Sequence, residues 1–328
     1  MSLRLVEIVL PENYEGEVSE VLERLDILGH WEQKLDSGMT LARVLVESAD
    51  VESVVEEIQA RFSVGDNFRA MLLEVEATVP VPQDDEEDTQ KKEPERVAVM
   101  ELVEKLSSGS RLTRTYVATL VLSTVVAAAG LVRGNVAVVI GAMVIAPLLS
   151  PNMALSLATT LGDMRLAARS ALTFAAGGVM SFLLAVLAAV VVHVDPTVSE
   201  LSSRAAVGMG DIALALAAGS AGALAFTTGV SASLVGVMVA VALLPPLVAA
   251  GLLFGTGESA MAWRALLLFA TNVICVNLAG VFTFLAQGVR PRLRWEEARA
   301  PRMLSVAVAL WGALLAVLAV LIWLVQRS

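Results

Sequence analysis

Few residues in this chain of 328 are equipped for chemistry, and most of those are neutral. Two proline-bearing runs, APLLSPN (146–152) and ALLPPL (242–247), interrupt long apolar stretches, and Asn272 and Asn277 stand inside a third. A proline within a helix removes a backbone hydrogen bond and clashes with the preceding turn. In hydrocarbon the freed carbonyls find no water, so such breaks are placed against protein or a wet cavity. The half-helix that restarts beyond a break presents unpaired N–H groups and a positive dipole end. The chemistry on offer is therefore binding, through backbone groups, hydroxyls and carboxamides. Pro147, Ser150, Pro151, Asn152, Pro245, Pro246, Asn272 and Asn277 are the candidate binding residues.

Ser150 and Asn152 are placed to cap the first break. Pro245 and Leu247 stand in their places in the second, so the first is expected to supply more side-chain contacts. A proline kink that only shapes packing is the structural alternative. Interhelical hydrogen bonding and ligand contact both account for Asn272 and Asn277. Ser123, Thr124, Asn135, Ser156, Thr159, Thr160, Thr227, Thr228, Ser231 and Ser233 are further neutral polar residues within the apolar stretches. No charged residue falls near mid-span; Arg133, Asp163, Asp211 and Glu258 lie at span ends. That weakens a proton-exchange reading.

Two histidines and the single Cys275 are too few for a zinc or iron–sulfur site, and one cysteine makes no internal bridge. No nucleophile–base pair is visible, so no enzyme is expected, and the sequence leaves any cofactor unknown.

The elements that carry these residues follow from composition. The chain is 56% hydrophobic and 17% charged, against roughly a quarter charged in soluble domains. Residues 1–96 hold 9 Lys/Arg and 24 Asp/Glu; residues 97–328 hold 14 and 9. The first part is acidic, which disfavours nucleic acid as a partner. The second is apolar far beyond the needs of a soluble core. A crossing needs about 20 apolar residues, and seven candidates occur: 114–132, 134–161, 167–193, 211–228, 230–255, 261–287 and 303–325. With the N-terminus in the cytoplasm, inside segments carry 10 Lys/Arg and outside segments 4, as the positive-inside rule prefers.

Residues 141–174 align without a gap on 236–269, with 13 of 34 positions identical. The matches include Pro151/Pro246, Gly162/Gly257, Arg169/Arg264 and Phe174/Phe269, with Asp163 opposite Glu258. Each repeat holds three spans, and an odd number reverses the orientation of the next copy. The expectation is a 3+3 inverted repeat with a seventh span outside it, an arrangement that recurs in transporters. Gly162, Asp163, Gly257 and Glu258 form matched loops, either symmetric gates or ordinary turn chemistry.

Upstream, residues 3–10, 31–36, 39–47 and 68–79 read as strands, and 17–29 and 50–63 as helices. This is the βαββαβ order of a ferredoxin-like α+β domain. Residues 80–95 are an acidic, proline-bearing linker, and 94–106 an amphipathic connector. The expected organisation is a soluble domain at 1–79, a linker and connector at 80–110, repeats at 111–195 and 205–288, and a basic loop with the last helix at 289–328.

GAMVIAPLLSP, the LGD turn, VALLPPLVAAG and TNVICVNLAG together resemble a prokaryotic membrane family, domain of unknown function 389, the "uncharacterised hydrophobic domain". The resemblance spans about 110–290 and implies an integral membrane protein. It carries over no substrate, cofactor or catalytic residue.

The expected protein is thus an α-helical polytopic protein of the plasma or inner membrane, multi-pass, with a cytoplasmic head. Transport of a small solute or ion is the leading function, in a homo-oligomer within the bilayer. The alternative is a non-transporting sensor or scaffold. A polar cavity reaching the breaks favours the first; a sealed, dry interface favours the second.

Overall fold

The computed structural model describes residues 3–11, 17–22, 25, 27–35, 38–48, 50–62, 69–75, 78, 99–228, 243–289 and 294–327. The expected linker, Asp36-Ser37, and the first half of the 230–255 span lie outside them. The chain divides into two compact units, Met1–Leu102 and Val103–Ser328.

In the first unit, β1 (Leu3–Pro11), β2 (Gly29–Leu35), β3 (Met39–Glu47) and β4 (Arg69–Val75) form an antiparallel sheet in the order β2-β3-β1-β4. Helix α1 (Glu17–Leu22) follows β1, and α2 (Val51–Phe62) follows β3. Strand alternation turns Val6, Ile8 and Leu10 of β1, with Ala42, Val44 and Val46 of β3, to one face. Val18, Val21 and Leu22 of α1 and Val54, Val55 and Ile58 of α2 close a core over them. Glu7 and Arg43, paired across the strands, are joined by a 2.7 Å ion pair. Helix α1 is shorter than the expected 17–29 because β2 already begins at Gly29.

Among the described residues, the regular elements of the second unit are all helices. Helix α3 (Val99–Gly109) leads into it, somewhat beyond the expected connector. There follow α4 (Arg114–Val132), α5 (Val136–Ile145), α6 (Leu149–Leu161), α7 (Met164–Val191), α8 (Ser199–Ser203), α9 (Met209–Thr227), α10 (Leu244–Gly255), α11 (Ser259–Ala286) and α12 (Arg294–Arg327). By length and composition α4, α7, α9 and α11 can each cross a membrane; α5 and α6, bent by 53°, make a fifth crossing if taken as one. Helix α10 and the apolar stretch Val308–Ile322 of α12 are shorter.

Helix boundaries recur at a fixed interval. Helices α4 and α9 are both 19 residues long, and α7 and α11 both 28. In each pair, and for α6 and α10, the second starts 95 residues after the first. Gly162 and Gly257, at the same interval, end α6 and the α10 turn with φ of 78° and 86°. That left-handed conformation is open to glycine without a Cβ penalty.

Packing pairs cross over between the two sets. Helix α6 lies on α11 and α10 on α7. The approach is close at small residues, as membrane helices favour. A Cβ on Gly280 would stand 2.8 Å from Ser156 Oγ, and one on Gly251 2.6 Å from Ala185 Cβ. Ser156 and Gly251 are 95 residues apart, as are Ala185 and Gly280. Likewise Thr124 donates to Ser181 Oγ at 3.0 Å between α4 and α7, while a Cβ on Gly219 of α9 would meet Val276 Cα of α11 at 2.7 Å.

Candidate functional site

The break between α5 and α6 is made by Pro147. The residue before a proline avoids the helical region, and Ala146 is extended at φ −66°, ψ 123°. The chain restarts at Leu149. Pro151 lies inside the first turn of α6, where a missing N–H leaves no helical bond unmade. Pro245 and Pro246 occupy the first turn of α10 in the same manner, both buried.

The capping expectation is corrected here. The N-cap of α6 is Leu148, which has no side chain able to accept a hydrogen bond. Ser150 and Asn152 sit within the first turn, because the break is set by Pro147, four residues before Pro151. Ser150 faces the connector instead: its carbonyl lies 3.5 Å from Ser110 Oγ, and a Cβ on Gly109 would fall 2.8 Å from its Cβ.

Asn152 has a different surrounding. It is fully buried, and its Oδ1 accepts a hydrogen bond from Asn277 Nδ2 of α11. The same Asn277 Nδ2 donates to the Val273 carbonyl at 3.0 Å, and Asn277 Oδ1 accepts from Ser156 Oγ at 3.1 Å. Ser156 Oγ is also 3.3 Å from the Asn152 carbonyl, one turn back along α6. The Val273 and Ser156 contacts fix which way the Asn277 amide faces. That in turn turns Asn152 Oδ1 towards Asn277 and leaves Asn152 Nδ2 buried with no partner among the described residues.

The structure therefore joins Asn152 and Asn277, which are 125 residues apart in sequence. Asn272 is buried in the same helix. It stands five residues earlier, about 140° around the axis from Asn277, and so faces another direction. Pro245 and Pro246 belong to α10, which packs on α7, α11 and α4. Ser156, among the apolar-stretch hydroxyls, was not a chosen site residue. Its spacing of four from Asn152 was the available signal, since i and i+4 share a helix face.

The corresponding crossing of α10 on α7 is apolar. Leu247 and Phe182 stand at the 95-residue equivalents of Asn152 and Asn277. Leu247 is buried, and Phe182 meets Phe254 at 5.9 Å between ring centroids.

Asp163 caps α7, its Oδ1 accepting from the N–H groups of Arg165 and Leu166 at 2.9 and 3.0 Å. Glu258 precedes α11 without a side-chain cap bond. An apolar cavity of about 380 Å³ opens along α4 and α7, lined by residues such as Val125, Ala128, Leu184 and Leu187, with Arg133 at its rim. Its lining includes none of Asn152, Ser156 and Asn277. Among the described residues no group of three His, Cys, Asp or Glu is placed to hold a metal ion.

Comparison with known proteins places the chain. The family described as domain of unknown function DUF389 matches residues 143–278. An uncharacterised protein of Methanocaldococcus jannaschii is 34% identical over 323 residues, covering 98% of this chain and 99% of that one. The chain belongs to the DUF389 family. The DUF389 match opens in α5 and ends in α11, so it contains the break and both asparagines. The archaeal relative extends the likeness over the N-terminal unit. No solved structure matches this DUF389 protein.

Proposed function

We propose that this protein moves a small solute or ion across a membrane. In this reading the body consists of two three-crossing units of opposite orientation, at 111–195 and 205–288, with a last crossing in 289–328. The observation that carries the reading is the buried contact of Asn152 with Asn277. Carboxamides from the two units meet beside a broken helix, where a polar group without a partner is expensive, and one of their four amide atoms is left over. The common 95-residue interval of helix starts supports the repeat, and three crossings per unit, as this reading has them, would invert the second copy. Inverted units with broken helices near mid-membrane suit alternating access.

The head, 1–79, reads as a cytoplasmic ferredoxin-like domain that regulates or oligomerises the body through the 80–110 segment. The antiparallel strand order β2-β3-β1-β4, with helices after β1 and β3, supports this. The activity is passage without bond-making, so no catalytic residue is assigned.

A second reading, a non-transporting sensor or scaffold, is favoured by one specific observation. Asn152, Ser156 and Asn277 are all 0% exposed, so the crossing is sealed in this state. On the transport reading this is an occluded conformation; on the scaffold reading it is permanent. Proteoliposomes distinguish them. With sodium, potassium and chloride gradients and a glycerol swelling assay, transport predicts flux of at least one probe above empty vesicles, reduced severalfold by Asn277→Ala. Flux no greater than in empty vesicles for every probe supports the scaffold.

A further inference from the structure

The first turn of α6 combines two features. Its N-cap, Leu148, offers no side-chain acceptor, so the turn's N–H groups have no capping side chain. Within that turn Asn152 Nδ2, on a residue with 0% exposure, has no partner among the described residues. Side chains on a helix lean towards its N-terminus, so the Asn152 amide leans towards the break that Pro147 opens. The backbone donors of this turn, Leu149 and Ser150 since Pro151 has no N–H, meet no side-chain acceptor at the cap, and Asn152 Nδ2 meets none among the described residues.

We infer that the first turn of α6, with the Asn152 carboxamide, is the binding site for a small inorganic anion, and that the passenger is an anion. This rests on the transport reading only for its second clause. The reasoning is one of sign. Donor atoms do not ligate cations, and the one acceptor on the Asn152 side chain is already engaged by Asn277 Nδ2. A cation would also sit at the positive end of the α6 dipole, where an anion is stabilised. The Asn277–Ser156–Val273 bonds hold Asn152 in this orientation, so Asn277 is a positioning residue. The equivalent turn of α10 carries Leu247 where α6 carries Asn152, so one ligand is expected per chain.

Two measurements on the full-length protein separate the clauses. Thermal unfolding in detergent, with chloride or nitrate titrated against gluconate, reads binding. A ligand at free concentration L that binds only the folded state stabilises it by RT ln(1 + L/Kd), so Tm keeps climbing with the logarithm of ligand concentration above Kd. Valinomycin-clamped proteoliposomes, loaded with potassium chloride or nitrate, read flux. The expected result is a Tm rise that grows with the logarithm of chloride or nitrate concentration, absent in Asn152→Leu and in Asn152→Asp. Anion flux is expected to fall at least tenfold in both variants, while their size-exclusion profiles match the wild type. Asn152→Asp tests the site separately from packing, since it keeps the shape and places a negative charge where the anion would sit. A Tm rise without flux keeps the anion site and overturns transport. Sodium or glycerol flux with no anion-dependent Tm rise overturns the anion site and keeps transport. Neither flux nor Tm rise overturns both, and a Tm rise undiminished in Asn152→Asp places the anion elsewhere.

Discussion

Phe174 of α7 and Phe269 of α11 stack with ring centroids 6.1 Å apart and planes inclined by 7°. They are also equivalents at the 95-residue interval. A contact between two equivalent residues is what a two-fold relation between the two proposed units would produce, as self-complementary contacts do across a symmetric dimer. The reciprocal pairs Ser156–Gly280 and Gly251–Ala185 obey the same relation. Truncating either phenylalanine to Ala should lower stability to a similar degree. A double-mutant cycle should give a coupling of about 0.5–1.5 kcal/mol, the range of aromatic pairs. Thermal unfolding in detergent checks this; additive effects would show that the two rings do not stabilise one another.

The close crossings should not be equally sensitive. A Cβ on Gly251 would lie 2.7 Å from the Phe182 carbonyl oxygen, a backbone atom fixed in α7. A Cβ on Gly280 would meet the Ser156 side chain, with its Oγ at 2.8 Å. Gly251→Ala should therefore destabilise by about 1–3 kcal/mol, the range for overpacking. Gly280→Ala should cost less, because its contacts, at 2.8 and 3.0 Å, are with a side chain and not with backbone, although turning the hydroxyl aside gives up its bond to Asn277 Oδ1. Unfolding midpoints of the two variants, compared under one set of conditions, check the order.

Removing one member of the asparagine pair should cost more than replacing both. Asn277→Ala strands Asn152 Oδ1 and takes away one of the two acceptors of the Ser156 hydroxyl, a loss of about 1–3 kcal/mol. The double variant Asn152→Leu with Asn277→Phe copies the apolar crossing formed by Leu247 and Phe182. It should be more stable than either single variant and carry no flux in proteoliposomes. A stable double variant with wild-type flux would remove the pair from the transport path.

One loop should respond to acid. Asp195, beyond the end of α7, accepts from the Thr197 hydroxyl at 2.7 Å and the Thr197 N–H at 2.9 Å. These bonds, the hydroxyl's foremost, hold its carboxyl below the usual range, with His193 nearby adding to them and slight burial opposing. Because the folded value is depressed, the stabilisation is present above the ordinary carboxylate pKa. It is lost as pH falls through the folded value. Hydrogen exchange at the Thr197 amide, corrected for intrinsic rate, should show protection at neutral pH that declines in acid. Asp195→Asn should flatten that profile.

Much of the fold could be read from the chain itself. The 114–132 stretch is largely apolar and is the helix α4 at the same bounds, since no charge interrupts it between Arg114 and Arg133. Alternation in 39–47 gave β3 directly. The 17–29 helix was overextended because Leu25 and Leu28 continue the helical spacing, while strand pairing claims the chain from Gly29. At the site, Asn152 and Asn277 stood out as carboxamides in apolar surroundings. Their contact was not legible, because it depends on how α6 crosses α11. The capping role given to Ser150 failed for a local reason. Pro147 and Pro151 are four residues apart, and only geometry decides which of them breaks the helix and which opens the next.

Opposite orientation of the two halves underlies the proposal for this protein, and labelling of the matched loops tests it most directly. In a Cys275→Ser background, single cysteines at Asp163 and Glu258 can be reacted with an impermeant maleimide from either side of oriented membrane vesicles. The account predicts that Asp163→Cys is labelled from one side and Glu258→Cys from the other. Labelling of both from the same side would contradict it.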